Sequence, residues 1–243
     1  MRALVTGGAG FIGSHLVDRL LQAQHHVRVF DNFSTGQRRF LAGAQTNDQF
    51  ELIEGDLIHE QQIEIAMRGV DFVWHLAANA DVRFGTDQPR RDLEQNTIAT
   101  SNVLEAMRKN EVRHIAFSST GSIYGEASVI PTSEDCPMPV QTSLYGASKL
   151  ACEGMISAYC EGFDMQAWIF RFVSILGERY THGHIFDFYR RLLDDPDHLH
   201  ILGNGKQRKS YLYIHDCLNA MFKAVEVAPS AVNVLNLGTD EYV

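Results

Sequence analysis

The sequence predicts a doubly wound α/β fold, a parallel sheet with helices on both faces, and three observations carry that prediction. Short runs rich in β-branched and aromatic residues alternate with stretches of helical periodicity. The first run ends in a glycine-rich turn, and no repeat, low-complexity tract or flexible linker breaks the alternation. Strand alternating with helix implies parallel strands joined by crossovers.

In chain order, "RALVTG" reads as a strand and "IGSHLVDRLLQAQ" as the helix that returns from it. "HVRVF", "FELIEG" and "DFVWHLA" are further strands, short and dominated by residues that fit a pleated surface. "DLEQNTIATSNVLEAMRKN" repeats apolar residues at helical spacing and leads into the strand "RHIAFSS". "YGASKLACEGMISAYC" is the next helix and "AWIFRF" the next strand. After "RFVSILG" the rhythm changes. Residues from about 178 to 209, rich in His, Asp and Gly, read as an irregular annex over the strand ends, where such folds place their ligands.

A chain of 243 residues is long enough for one large domain, or for one domain with a small annex. Its 45% hydrophobic and 21% charged residues are ordinary for a globular protein with a sizeable core. A net charge of -9, with no basic stripe interleaved with aromatics, argues against nucleic acid as a partner. No apolar run approaches a membrane span, and "MRALVTGGAG" is patterned as strand and turn rather than as a signal peptide, so a cytoplasmic protein without membrane association is expected. Cys136, Cys152, Cys160 and Cys217 show no CxxC pairing and read as reduced thiols. The eleven histidines lack companion ligands at metal-binding spacing, so no metal site is expected.

"TGGAGFIGSHL" places Gly7, Gly10 and Gly13 after the first strand and at the start of a helix. Glycines there permit a tight turn, let the backbone approach a pyrophosphate and allow close helix packing, while the helix N-terminus offers N–H groups to phosphate. Asp31 ends the second strand, 18 residues beyond Gly13. A carboxylate there accepts hydrogen bonds from ribose hydroxyls and repels a 2′-phosphate, which favours NAD over NADP. Arg38 and Arg39 lie several residues further on and read as solvated.

"SLYGASK" sets Tyr145 and Lys149 four positions apart, on one face of a helix. A fixed ammonium beside a phenol eases loss of its proton, so the pair can serve as a general acid or base. Two side chains at this spacing on a solvated helix face are the other reading, and the stretch alone leaves both open.

Together, "TGGAGFIGSHL", "FDNFSTG", "EGDL", "HLAA", "NTIATSNVLEA", "FSSTGSIYG", "YGASK", "RFVSILG" and "QRKSYLYIHD" occur in an order that resembles the extended short-chain dehydrogenase/reductases, in their nucleotide-sugar epimerase and dehydratase branch. The resemblance covers essentially the whole chain. It implies a Rossmann domain over residues 1–176 with a returning segment at about 210–236, and a small, C-terminally truncated substrate-binding annex over 177–209 and 237–243. Relatives continue past "NVLNLGTDEYV" into further strands and helices that supply an arginine to the diphosphate.

By the same resemblance, Tyr145 is the catalytic acid/base and Lys149 its pKa-lowering partner, which also holds the nicotinamide ribose. Thr120 hydrogen-bonds the reacting hydroxyl. The NAD site is implied to comprise Gly7, Gly10, Phe11, Ile12 and Gly13, with Asp31, Asn32, Ser34, Thr35 and Gly36 around the adenosine and phosphate. Asp56 and Leu57 meet the adenine, Leu76, Ala77 and Ala78 run along the dinucleotide, Asn96 supports it, and Ser118 and Phe172 line it. On the substrate side stand Ser174, where many relatives have a diphosphate-binding asparagine, and Arg208, either a diphosphate clamp or a surface charge. Tyr124, His184 and Arg83 face the sugar or form pocket wall.

The reaction implied is oxidation of a UDP-sugar of the glucose/galactose type at C4 and return of hydride to the opposite face, with Tyr145 moving the proton. Dehydratases of this branch carry an acidic pair in a "TDEVYG" pattern, and UDP-glucuronate decarboxylases a glutamate. Here "TGSIYG" offers Gly121 and Ser122, which favours epimerisation. A UDP-glucuronate 4-epimerase, a dehydratase or decarboxylase, and a non-catalytic NAD-binding module are the alternatives. Relatives dimerise through a helix bundle, here implied at residues 92–109 and 145–161, with Cys160 and Met107 in that interface or in the core.

Overall fold

The computed structural model describes residues 1–80, 87–138, 140–181, 183–201, 205–206 and 208–241. The chain runs through β1 (Arg2–Thr6), α1 (Phe11–Gln22), β2 (His26–Asp31), β3 (Phe50–Glu54), α2 (Glu60–Ala66) and β4 (Phe72–His75). A helical run follows, α3 (Pro89–Asp92), a π-helical segment (Leu93–Ile98) and α4 (Ala99–Lys109). Then come β5 (His114–Thr120), α5 (Leu144–Phe163), β6 (Gln166–Phe172), β7 (Ser174–Leu176), α6 (His184–Asp194), β8 (Tyr211–Tyr213), α7 (Ile214–Val227) and β9 (Val232–Leu237).

Seven strands form one parallel sheet in the order β3-β2-β1-β4-β5-β6-β9, and β7 pairs with β8 in a small second sheet. The expected doubly wound Rossmann architecture is therefore present. Successive side chains of a strand point to opposite faces, so each strand feeds two cores. Ala3 and Val5 face one packed by Leu16 and Leu20 of α1 and Leu218 and Met221 of α7. Leu4 faces the other, packed by Ile63 of α2, Val103 and Leu104 of α4, and Ile156 of α5. Met107 and Cys160 belong to this second core, which settles them as packing residues. Strands wound outward in both directions from β1 and β4 leave a crevice between the loops at their carboxyl ends.

Two elements differ from the sequence reading. The helix expected to start at about residue 92 is widened to π geometry over Leu93–Ile98, which places Asn96 inward with 1% exposure; such segments recur at functional sites. Residues 178–209, expected to be irregular, contain α6. Ile185, Phe186, Phe188, Tyr189, Leu192 and Leu193 recur at helical spacing there, yet no residue of α6 is buried.

Gly13 sets how closely α1 sits on β1, because a Cβ at this position would lie deep inside van der Waals contact with the Gly7 carbonyl oxygen. Gly13→Ala is therefore expected to lower stability by about 2 kcal/mol or more, measured by urea denaturation, and to weaken retention of a dinucleotide in the adjoining cleft.

Candidate active site

The crevice at the sheet switch point is a cleft of about 370 Å³, floored by the turn after β1 and the loop after β4. Gly7 adopts φ +69, and a Cβ there would stand 2.7 Å from the Ala77 amide nitrogen, so only glycine lets these two backbones meet. Gly10 caps α1 without a side-chain hydrogen bond, and the first turn of α1 carries no acidic residue. The cleft-lining backbone of Gly10, Phe11, Ile12 and Gly13 therefore presents a helix N-terminus suited to an anion.

At the far end of β2 the Asp31 carboxylate is 7% exposed and accepts hydrogen bonds from Ala9 N and Phe33 N, each at 2.8 Å. Burial raises its pKa while these amides hold it down. Asn32 donates to Asp56 at 3.0 Å, and Asp56 in turn accepts from Ile58 N at 3.1 Å, which ties the loop after β2 to the one after β3. Ser34, Thr35, Gly36 and Leu57 complete this end of the cleft. Arg38 is paired with Glu54 and lies over the Phe33 ring at 4.0 Å, and Arg39 donates to Gln37 at 2.6 Å, so both guanidinium groups have local partners. A helix N-terminus for a diphosphate and a buried carboxylate for ribose hydroxyls fit an NAD-type dinucleotide.

At the opposite end, Ser143 caps α5 by accepting from Gly146 N at 3.0 Å, which starts the helix one residue before Tyr145. Tyr145 and Lys149 share the helix face that lines the cleft. Thr120, at the end of β5, hydrogen-bonds the phenol and sits 3.2 Å from Ser122 Oγ. Lys149 is 1% exposed, donates to the Ser118 carbonyl oxygen at 2.7 Å and stands 4.6 Å over the Phe117 ring.

Burial governs the proton affinities. Tyr145 is pushed up to about 12 by desolvation, with the Thr120 hydrogen bond opposing and the Asp92 carboxylate adding to the rise. Lys149 is pushed down to about 8 by the same cause. Burial, rather than the expected influence of the neighbouring lysine, governs the tyrosine here, because both groups have left water. Beneath them His75, pushed down to about 3 by burial and by Lys149, bridges Thr6 at 2.7 Å and Thr100 at 3.0 Å as a neutral ring.

Asn96 supports the site from below rather than lining it. Its amide donates to Ser148 Oγ at 2.9 Å and its oxygen accepts from Asn79 N at 2.8 Å, while Asn79 donates to Asp92 at 2.7 Å. The loop after β4 is therefore anchored to α5.

Leu76, Ala77, Ala78, Ser118, Phe172, Ser174 and His184 line the cleft. His184 hydrogen-bonds the Tyr211 hydroxyl. Tyr124 does not line the cleft: it is 6% exposed and its hydroxyl is engaged by Arg171 and Asn236, which corrects the reading of it as a sugar-facing residue. Arg208 is exposed and outside the cleft lining, and Arg83 lies outside the described residues. Sequence reasoning missed Tyr180 and Gly183, which line the cleft with Tyr180 packed on Phe11 at 5.4 Å. Their segment carries no period or motif to flag them. Among the described residues no group of three His, Cys, Asp or Glu could hold a metal ion.

The chain matches the profile of the NAD dependent epimerase/dehydratase family over residues 3–238. It is 33% identical to the UDP-glucose 4-epimerase of Mycolicibacterium smegmatis over 229 residues, covering 92% of this chain and 73% of that protein. Among solved structures it superposes on a UDP-galactose 4-epimerase with TM-score 0.89 and 40% identity, over 100% of this chain and 79% of that one. The Thermotoga maritima UDP-glucose 4-epimerase bound to UDP-glucose gives TM-score 0.90 and 33% identity over 100% and 78%.

A lysine with a depressed pKa burdens the folded state while it is charged. Below pH 8 that cost is fully present, and it is relieved as pH rises toward the unfolded value, where the unfolded chain binds the extra proton. Lys149→Met is therefore expected to be more stable than the native chain at pH 7 by on the order of 2 kcal/mol. The gap should close between about pH 8 and 10.4 in denaturation curves taken across that range.

Proposed function

Because this chain belongs to the NAD dependent epimerase/dehydratase family, we propose that it inverts C4 of a UDP-sugar of the glucose/galactose type. The observation that carries the reading is the meeting of Thr120, Tyr145 and Lys149 at one end of a cleft whose other end is the glycine turn and Asp31. A module that only bound a dinucleotide would not need the first group. NAD, when bound, supplies a reversible acceptor for the hydride of the sugar carbon.

The chain's own part is the proton. Tyr145 Oη accepts it from the C4 hydroxyl and gives it back to the keto oxygen once the ring presents its other face. To begin as a base, Tyr145 must lose a proton that burial holds to about pH 12 in the free chain. Binding therefore has to favour the phenolate, and Lys149, one helical turn away, is this chain's own cation for that purpose. Thr120 holds the hydroxyl being oxidised. Between Thr120 and Tyr124 stand Gly121, Ser122 and Ile123, without a carboxylate to drive elimination, and this supports epimerisation over dehydration.

We further assign the dinucleotide to residues 1–176 with the returning segment at 210–236, a division supported by the pairing of β9 with β6. Residues 177–209 and 237–243 then serve the sugar nucleotide, with His184 lining the cleft together with Ser174 of the preceding strand β7. Ile98 is exposed, and Ala151, Gly154 and Ala158 repeat along the outer face of α5, a surface suited to a homodimer built as a helix bundle. Buried free thiols and a nucleotide-sugar substrate suit a cytoplasmic setting. No helix among the described residues is long and apolar enough to cross a membrane.

Proton NMR of the chain with UDP-glucose, UDP-N-acetylglucosamine and UDP-glucuronate is expected to show a new galacto-type anomeric signal for at least one sugar without net NADH. Absence of turnover with all three sinks the proposal, and the sugar that reacts identifies the C2 and C6 preference. Tyr145→Phe is expected to lower kcat about a thousandfold while NAD stays bound.

A further inference from the structure

The second core ends at the active site in polar residues. On the face packed by α5, β5 presents Ile115, Phe117 and Ser119, β6 presents Ala167, Ile169 and Arg171, and β9 presents Val232, Val234 and Asn236. Each strand is apolar for two steps and polar at its carboxyl end. In register, Ser119 lies beside Arg171 and Arg171 beside Asn236, so the three form one row across the sheet.

The row is knit together by an ion pair that is all but dry. Arg171 and Glu153 are each 5% exposed. The guanidinium grips both carboxylate oxygens, Nε at 3.2 and 3.3 Å and Nη2 at 2.8 Å. Its third nitrogen donates to Tyr124 Oη at 2.7 Å and to the Glu134 carbonyl at 3.0 Å. Ser119 Oγ donates to Glu153, and Tyr124 Oη donates to Asn236 Oδ1 at 2.8 Å. Asn236 Nδ2 donates to the Thr132 carbonyl at 2.9 Å, while its backbone N–H donates to Glu134 Oε1 at 2.7 Å.

These contacts lie one step behind the chemistry. Glu153 is one helical turn beyond Lys149, Ser119 immediately precedes Thr120, and Tyr124 closes the 3-10 turn Gly121–Tyr124 that carries Ser122. Replacing a buried ion pair with apolar residues is commonly neutral or stabilising, so stability alone gives little reason to keep one here. We propose that Glu153 and Arg171, with Ser119, Tyr124 and Asn236, are positioning residues that hold Thr120 and the Gly121–Tyr124 turn in register with Tyr145. Neither charged group lines the reacting end of the cleft except through the residues it holds. The expectation for kcat rests on the proposed epimerase activity.

The test compares native chain, Glu153→Gln, and the paired Glu153→Leu/Arg171→Met, which leaves no unpaired buried charge. Turnover is read by the anomeric NMR assay. Backbone amide exchange, followed by mass spectrometry, is read for residues 118–124 against β1 and β2. Positioning predicts kcat down 10- to 100-fold with KM within about threefold, and faster exchange confined to 118–124 and the start of α5. A paired variant with native kcat and native exchange at 118–124 overturns the proposal, as does a loss of melting temperature with kcat unchanged. Should both variants fail to fold, Asn236→Ala decides, since it cuts the Tyr124 link without exposing a buried charge. If the native chain shows no turnover, the epimerase reading fails while the exchange data still decide the role of the network.

Discussion

The site depends on how closely the turn after β1 approaches the loop after β4. Gly7 lies against the Leu76–Ala77 peptide and Gly13 against the Gly7 carbonyl, so two backbones and a helix end converge without an intervening side chain. That convergence leaves the N-terminus of α1 open to the cleft and brings the strand carrying His75 beside the strand carrying Thr6. From there the parallel sheet extends outward on both sides. Asp31 arrives on one neighbour, Thr120 on the other, and α5 is laid across the second core with its first turn at the cleft edge. A side chain at Gly7 would push all of these apart together.

The price of this arrangement is a set of polar groups out of water. Lys149 sits almost fully buried with its charge disfavoured, Tyr145 keeps its proton far into the alkaline range, and His75 is held neutral. Each has a hydrogen-bond partner, and the partners come from different elements: Ser118 from β5, Thr6 from β1, Thr100 from α4. Since folded domains are stable by only about 5–15 kcal/mol, such groups persist at the expense of stability that an apolar core would supply. The large apolar faces beside them, from Leu16 and Met221 on one side to Leu104 and Ile156 on the other, offset that cost.

The π-helical segment shows how local geometry serves the same end. Within the wider turn of Leu93–Ile98, Asn96 aims its amide at Ser148 and its oxygen at the loop after β4. Asn79, Asn96 and Ser148 thus connect the loop that lines the dinucleotide cleft with the helix that carries Tyr145, whose own carbonyl accepts from Ser148 Oγ at 2.8 Å.

By itself the sequence determined the elements whose information is local. Strand and helix periods, the glycine spacing, the carboxylate ending β2, the serine cap before Tyr145 and the Tyr145–Lys149 face are all properties of residues within a turn or two of one another. The order of "TGGAGFIGSHL", "FSSTGSIYG" and "YGASK" was enough to anticipate the family and most of the cleft lining. Tertiary structure alone decided what depends on distance through space. It turned Tyr124 from the sugar to Arg171, gave Arg38 to Glu54, and put Tyr180 in the cleft wall. It also set the Tyr145 proton affinity by burial rather than by the neighbouring lysine, because that affinity follows solvation, and solvation is set by elements that only the fold brings together.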